Sequence, residues 1–197
     1  MVALERLSSH TKGIIVVGTE NPRCGDKAFT DAVALISDKL GWPVIADALN
    51  PLRSHAEAIP LLITHYDAFL GDALKAKELM PTAILQIGDL PTSKMLRAWL
   101  SSLEAVSFLL TSRPINTDPL HRIATPLYGN TQTLAEHLPP QLVEANWSKL
   151  WLENELKTAN ELDSKMLSIE TFFEGKVAWL LSKHLPDDTP VFLASSM

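Results

Sequence analysis

A parallel α/β sheet with helices on both faces, Rossmann-like in arrangement, is the fold class this chain predicts. C-terminal helices and one strand from the start of a second domain should follow it. Three observations point there. Short apolar runs, rich in β-branched residues, recur along the first two thirds of the chain. Stretches with apolar residues at helical spacing separate them. Each apolar run is continuous rather than alternating, so its strand should be covered on both faces, as in a parallel sheet with right-handed crossovers.

The elements justify that class in order. Residues 1–12 are polar and irregular, and read as a linker or tail. Gly13-Ile14-Ile15-Val16-Val17-Gly18 is the first strand, and the turn-rich loop Thr19 to Gly25 follows it. From Asp26 to Leu40, Phe29, Val33, Ile36 and Leu40 mark a helix that Gly41 should stop. Pro43 to Asp47 is the second strand, and Asn50 to Ala58 a polar loop. Ile59 to Leu70 reads as partly helical, and Asp72 to Leu79 as a short helix. Pro81 to Ile87 is the third strand. Pro91 to Leu103 is a helix carrying Met95, Trp99 and Leu103 on one face. Ala105 to Leu110 is the fourth strand, Arg113 to Pro119 a loop, Ile123 to Leu127 a weaker strand, and Thr131 to Leu138 a helix. The α/β domain therefore spans 13–138.

Beyond Pro139-Pro140 the pattern changes. Asn146 to Leu167 is a long charged helix with Trp147 and Trp151. Ile169 to Leu185 is a second helix, with Phe173, Val177, Leu180 and His184 on one stripe; His184 reads as packed or interfacial. Val191 to Met197 reads as a strand entering a loop. A domain rarely stops at the carboxyl end of a buried strand, so the expected division is 139–167 as a linker helix and 168–197 as the truncated start of a further domain.

Composition excludes several functions. Seventeen Lys and Arg against 23 Asp and Glu give a net charge of −6, with no basic run to hold nucleic acid. No apolar run approaches the roughly 20 residues of a membrane span. The start lacks a secretory pattern. One cysteine, Cys24, allows no internal disulfide and fits a cytoplasmic protein.

The motifs for chemistry are sparse. The loop after the first strand sits where a dinucleotide fold binds phosphate, but Gly18 and Gly25 with Pro22 and Arg23 between them do not make Gly-x-Gly-x-x-Gly. The six histidines are scattered, and none stands at metal-ligand spacing from a cysteine or carboxylate. Cys24 beside Arg23 has no partner histidine in sequence and reads as incidental. The five tryptophans read as core and domain-contact residues. Gly88-Asp89-Leu90-Pro91-Thr92-Ser93-Lys94 reads first as a strand end feeding a helix capped by Asp89 or Thr92, and second as a ligand loop. Any ligand would meet the carboxyl ends of the strands near Thr19, Asp47 and Asp89, an edge that these aspartates and Glu20 make acidic.

As a set, Gly41-Trp42-Pro43, Ile87-Gly88-Asp89-Leu90-Pro91-Thr92-Ser93-Lys94 and Asp118-Pro119 resemble the central domain of one thiamine-diphosphate enzyme family. That family is 2-succinyl-5-enolpyruvyl-6-hydroxy-3-cyclohexene-1-carboxylate synthase, of menaquinone and phylloquinone biosynthesis. Phe172-Phe173-Glu174 through Leu185-Pro186, then Phe192 to Met197, resemble the opening of its diphosphate-binding domain. The resemblance implies a Mg²⁺-dependent transferase, homo-oligomeric when intact. It would decarboxylate 2-oxoglutarate on thiamine diphosphate and add the succinyl-semialdehyde carbanion to isochorismate. It places Ser196, with Ser195 beside it, near substrate and cofactor. Asn116 stands where some members carry a substrate-binding arginine. The activating glutamate and the Gly-Asp-Gly magnesium motif have no counterpart here, so no catalytic or metal residue is expected in this chain, and neither cofactor bound to it alone. Two alternatives remain open: the central domain of another thiamine enzyme, such as an acetolactate synthase relative, binding FAD or ADP; or a stand-alone nucleotide-binding or regulatory module.

Overall fold

The computed structural model describes residues 2–19, 25–112, 118–139, 144–186 and 189–191. The elements run α1 (Val2–Ser8), β1 (Gly13–Val17), α2 (Asp26–Leu40), β2 (Val44–Ala46), a 3-10 helix (Pro51–Ala58), β3 (Leu62–Ile63), α3 (Tyr66–Leu70) and α4 (Ala73–Glu78). They continue with β4 (Ala83–Ile87), α5 (Lys94–Ser101), β5 (Val106–Thr111), β6 (Ala124–Tyr128), α6 (Thr131–His137), α7 (Ala145–Ser168) and α8 (Glu174–His184). The strands form one sheet in the order β3-β2-β1-β4-β5-β6, and every pairing is parallel. This is the α/β Rossmann-like sheet that the continuous apolar runs require.

Alternation along the strands sorts the two faces. Ile15, Val17, Leu85, Ile87, Phe108 and Leu110 meet Phe29, Val33, Ile36 and Leu40 of α2 and Leu134 of α6. On the other face Ile14, Val16, Ile45, Ile63 and Ile84 meet Phe69 and Leu70 of α3, Leu96, Trp99 and Leu100 of α5, and Trp147 and Trp151 of α7. Gly41 ends α2 in the left-handed conformation at φ 64°, with its N–H on the Asp38 carbonyl, as a residue without a Cβ does most readily.

Several sequence expectations are corrected. Residues 2–8 are helical, and Leu7 is fully buried against the α2 side of the sheet, so this segment belongs to the core. One buried leucine outweighs the polar composition around it. Asn50 to Ala58 is not a plain loop: Asn50 accepts the Leu52 N–H at 3.0 Å and, with Pro51 in the first position, starts the 3-10 helix. The stretch 59–70 splits into a two-residue strand and α3, giving six strands where five were expected in the domain. Ser93, not Asp89 or Thr92, caps α5 by accepting the Leu96 N–H at 3.0 Å. His184 is exposed rather than packed. Val191 lies in no regular element, and the rest of the expected last strand lies outside the described residues.

The chain divides into two compact units, 1–158 and 159–197. The division falls inside α7, twenty residues past the expected edge at 138. The reason lies in two tryptophans. Trp151 is fully buried and meets Phe69, Trp99 and Trp147 edge-on at 5.9–6.0 Å, and Trp147 donates its Nε1–H to the Gly13 carbonyl at 2.7 Å. The first half of α7 is thus a face helix of the sheet. In the second unit Asp163 accepts from Trp179 Nε1 and Lys183 Nζ, each at 2.7 Å, and joins the end of α7 to α8.

Candidate functional site: the carboxyl edge of the sheet

Strand order reverses between β1 and β4, the place where open α/β sheets bind ligands. Here the loop after β4 passes close against the end of β1. A Cβ on Gly18 would lie 1.7 Å from the Asp89 backbone oxygen, so only glycine lets the loop after β4 close against the end of β1. The Gly18 N–H reaches the Ile87 carbonyl at 3.3 Å, and Asn50 Nδ2 donates to the Gly18 carbonyl at 2.6 Å.

Asp47 ties the same edge together. It is 1% exposed. One carboxylate oxygen accepts the Leu49 N–H at 2.9 Å; the other accepts the Thr92 N–H at 2.7 Å and the Thr92 hydroxyl at 3.0 Å. Burial pushes the Asp47 carboxyl up, but these hydrogen bonds and the nearby Arg53 outweigh it and hold the group below its ordinary value. The edge therefore does not present two free aspartates. Asp47 is consumed internally, Asp89 is exposed, and Glu20 lies outside the described residues.

Arg53 closes the neighbouring corner. Its guanidinium donates twice to the Ala46 carbonyl, at 3.0 and 3.2 Å, and once to the Thr64 carbonyl at 3.2 Å, and it lies 5.8 Å from the Tyr66 ring centroid. It satisfies the carbonyl ends of β2 and of the segment after β3.

Two further polar clusters escaped the sequence reading. Arg122 donates to Asp118 at 2.8 Å and to Gln86 at 3.0 Å, and Gln86 donates to the Gly88 carbonyl at 3.1 Å. A glutamine inside the apolar run Ala83–Ile87 was the available signal. Glu155 of α7 accepts the Thr64 N–H and hydroxyl at 2.9 and 2.5 Å and the His65 N–H at 2.9 Å, and pairs with His65 Nδ1 at 2.8 Å. Burial raises the Glu155 carboxyl, yet His65 and Thr64 more than reverse that and keep it low. Nothing in a charged helix marks Glu155 in advance. Thr64, His65 and Glu155 do not form a nucleophilic triad, because Thr64 and Glu155 converge on the same histidine nitrogen.

The remaining candidates stand apart. His10 meets Phe108 edge-on at 6.2 Å, and burial, then Arg6, lowers its pKa. His137 bonds its own helix at the Thr133 carbonyl. Among the described residues no three His, Cys, Asp or Glu side chains gather as metal ligands. No described helix is long and apolar enough to cross a membrane. Cys24, Arg23, Asn116, Ser195 and Ser196 lie outside the described residues.

The family model described as "Middle domain of thiamine pyrophosphate" matches residues 4–193, and the chain belongs to that family. Among curated proteins it is similar to 2-succinyl-5-enolpyruvyl-6-hydroxy-3-cyclohexene-1-carboxylate synthases. It is 37% identical to that of Trichodesmium erythraeum over 196 residues, 98% of this chain and 33% of the relative. It is 37% identical to that of Gloeothece citriformis over 188 residues, 94% of this chain and 32% of the relative. For that of Synechococcus sp. (strain JA-3-3Ab) the figures are 39% over 186 residues, 94% and 31%. The chain thus spans a third of the length of the curated relatives it matches.

Proposed function

We propose that this chain is the central domain, with the opening of the diphosphate-binding domain, of a 2-succinyl-5-enolpyruvyl-6-hydroxy-3-cyclohexene-1-carboxylate synthase. The observation that carries the reading is identity of 37% sustained over 98% of the chain. In this reading the intact protein is a cytoplasmic homo-oligomer of menaquinone or phylloquinone biosynthesis, using thiamine diphosphate and Mg²⁺. Thiamine diphosphate supplies a stabilised carbanion equivalent when bound. Carbon dioxide leaves 2-oxoglutarate, and the four-carbon fragment adds to isochorismate.

In this reading the described residues of this chain take no direct part in that chemistry. They offer no metal-ligand cluster, and their buried polar groups, Asp47, Asn50 and Glu155, are engaged with the fold itself. Their part is to form a rigid body that spaces the parts around it. By packing, that body runs to residue 158, so the central domain is proposed to include the first half of α7. The segment after it opens the next domain, with Ser195 and Ser196 near substrate and cofactor. In this reading the central domain holds neither FAD nor ADP.

Two assays test the reading. Purified chain, given thiamine diphosphate, Mg²⁺, 2-oxoglutarate and isochorismate, should give no turnover. The Trichodesmium erythraeum synthase with its matched segment replaced by this chain should retain synthase turnover. A folded graft without turnover, or cofactor-dependent turnover by the chain alone, overturns the proposal.

A further inference from the structure

A chain of hydrogen bonds crosses the carboxyl edge of the sheet from β1 to α7. At the end of β2, the peptide group between Ala46 and Asp47 donates its N–H to the Val17 carbonyl of β1 at 2.9 Å and accepts Arg53 on its carbonyl. Just past β3, the peptide group between Thr64 and His65 accepts Arg53 on its carbonyl and donates its N–H to Glu155 of α7 at 2.9 Å. The register pairs Val44 with Leu62 and Ile45 with Ile63, so Ala46 and Thr64 are next in step. The ladder stops before them, and the Arg53 fork spans the two carbonyls instead. Each of these peptide groups has its donor and its acceptor engaged at once, and hydrogen bonds in such chains polarise one another. A planar guanidinium holds two carbonyls in a fixed geometry that a lysine ammonium does not reproduce. Each end of the chain carries a buried carboxylate that fastens another element: Asp47 holds Thr92 of the loop after β4, and Glu155 holds α7 to the end of β3.

From this we infer that Arg53 is a positioning residue that couples the two grips, so that the hold of Asp47 on the loop after β4 and the hold of Glu155 on α7 tighten and loosen together. Every group in the device lies within the first unit. It makes α7, the helix that leads out of that unit, responsive to strain at the carboxyl edge of the sheet, where open α/β folds meet their ligands. The coupling is reciprocal, because a free energy shared by two contacts is the same whichever of them is perturbed.

Hydrogen exchange on the 197-residue chain tests the coupling in both directions. The Leu49 and Thr92 amides bond to Asp47 and not to Glu155. Glu155→Gln should speed their exchange by at least about threefold more than it speeds that of α6, which packs on the opposite face of the sheet. Asp47→Asn should do the same to the α7 amides of residues 150–158. In an Arg53→Lys background both cross-effects should vanish. The direct effects, of Asp47→Asn on Thr92 and of Glu155→Gln on His65, should persist there. If Arg53→Lys does not give a folded chain by near-ultraviolet circular dichroism, Arg53→Gln, which can still donate to one carbonyl, takes its place. Cross-effects no larger than the change in α6, or present in one direction only, overturn the inference. So do cross-effects that survive the loss of the Arg53 fork.

Discussion

At the scale of single residues, the carboxyl edge of the sheet depends on one absent side chain and one buried carboxylate. Gly18→Ala sets a methyl group where the Asp89 carbonyl oxygen now stands, at 1.7 Å. The loop after β4 must retreat, and overpacking of this kind costs about 1–3 kcal/mol. Thermal unfolding should shift down accordingly, and an unchanged midpoint would contradict the close approach. Asp47→Asn keeps the shape but replaces one acceptor oxygen with a donor that faces N–H groups, at a cost of about 1–3 kcal/mol. The pH dependence follows from the direction of the shift. Asp47 and Glu155 both titrate lower in the folded chain than they ordinarily do. Their contribution is therefore present above about pH 4, the ordinary carboxylate range, and is lost as pH falls through their folded values. In urea titrations, wild type should lose stability on acidification below that range, and the double variant Asp47→Asn, Glu155→Gln should show a flatter profile. Parallel profiles would reject the assignment.

At the scale of elements, α7 decides where the first unit ends. Its Trp147 and Trp151 fill the face of the sheet that α3 and α5 leave open, and Glu155 fastens it to Thr64 and His65 at the end of β3. A chain stopping at residue 138, the boundary suggested by sequence, would expose that face. Residues 1–158 should unfold cooperatively. Residues 1–138 should be far less stable, since losing each large aromatic contact costs about 3–5 kcal/mol. Urea unfolding followed by far-ultraviolet circular dichroism compares the two, and equal midpoints would show α7 to be dispensable.

At the scale of the whole molecule, stability should be uneven. The first unit has a two-sided buried core, whereas the described part of the second has no buried residue. Local opening follows burial, so amides of the second unit in the isolated chain should exchange about a hundredfold faster or more than those of β1 and β4. Comparable protection across residues 14–17 and 174–184 would overturn this picture.

The sequence alone determined the alternation of strand and helix, because a continuous run such as Ile14 to Val17 can be satisfied only between two covered faces. Its motifs also pointed to the family. It did not reveal α1 or β3, because one buried leucine and a two-residue strand carry no period to read. The candidate site was legible only as a location. Asp47 was visible as an acid at a strand end, but of the groups that saturate it Leu49 is two residues away and Thr92 is 45. Glu155 reaches Thr64 across 91. Whether an aspartate faces a ligand or locks a loop depends on which backbone N–H groups arrive beside it, and only the tertiary structure brings them there.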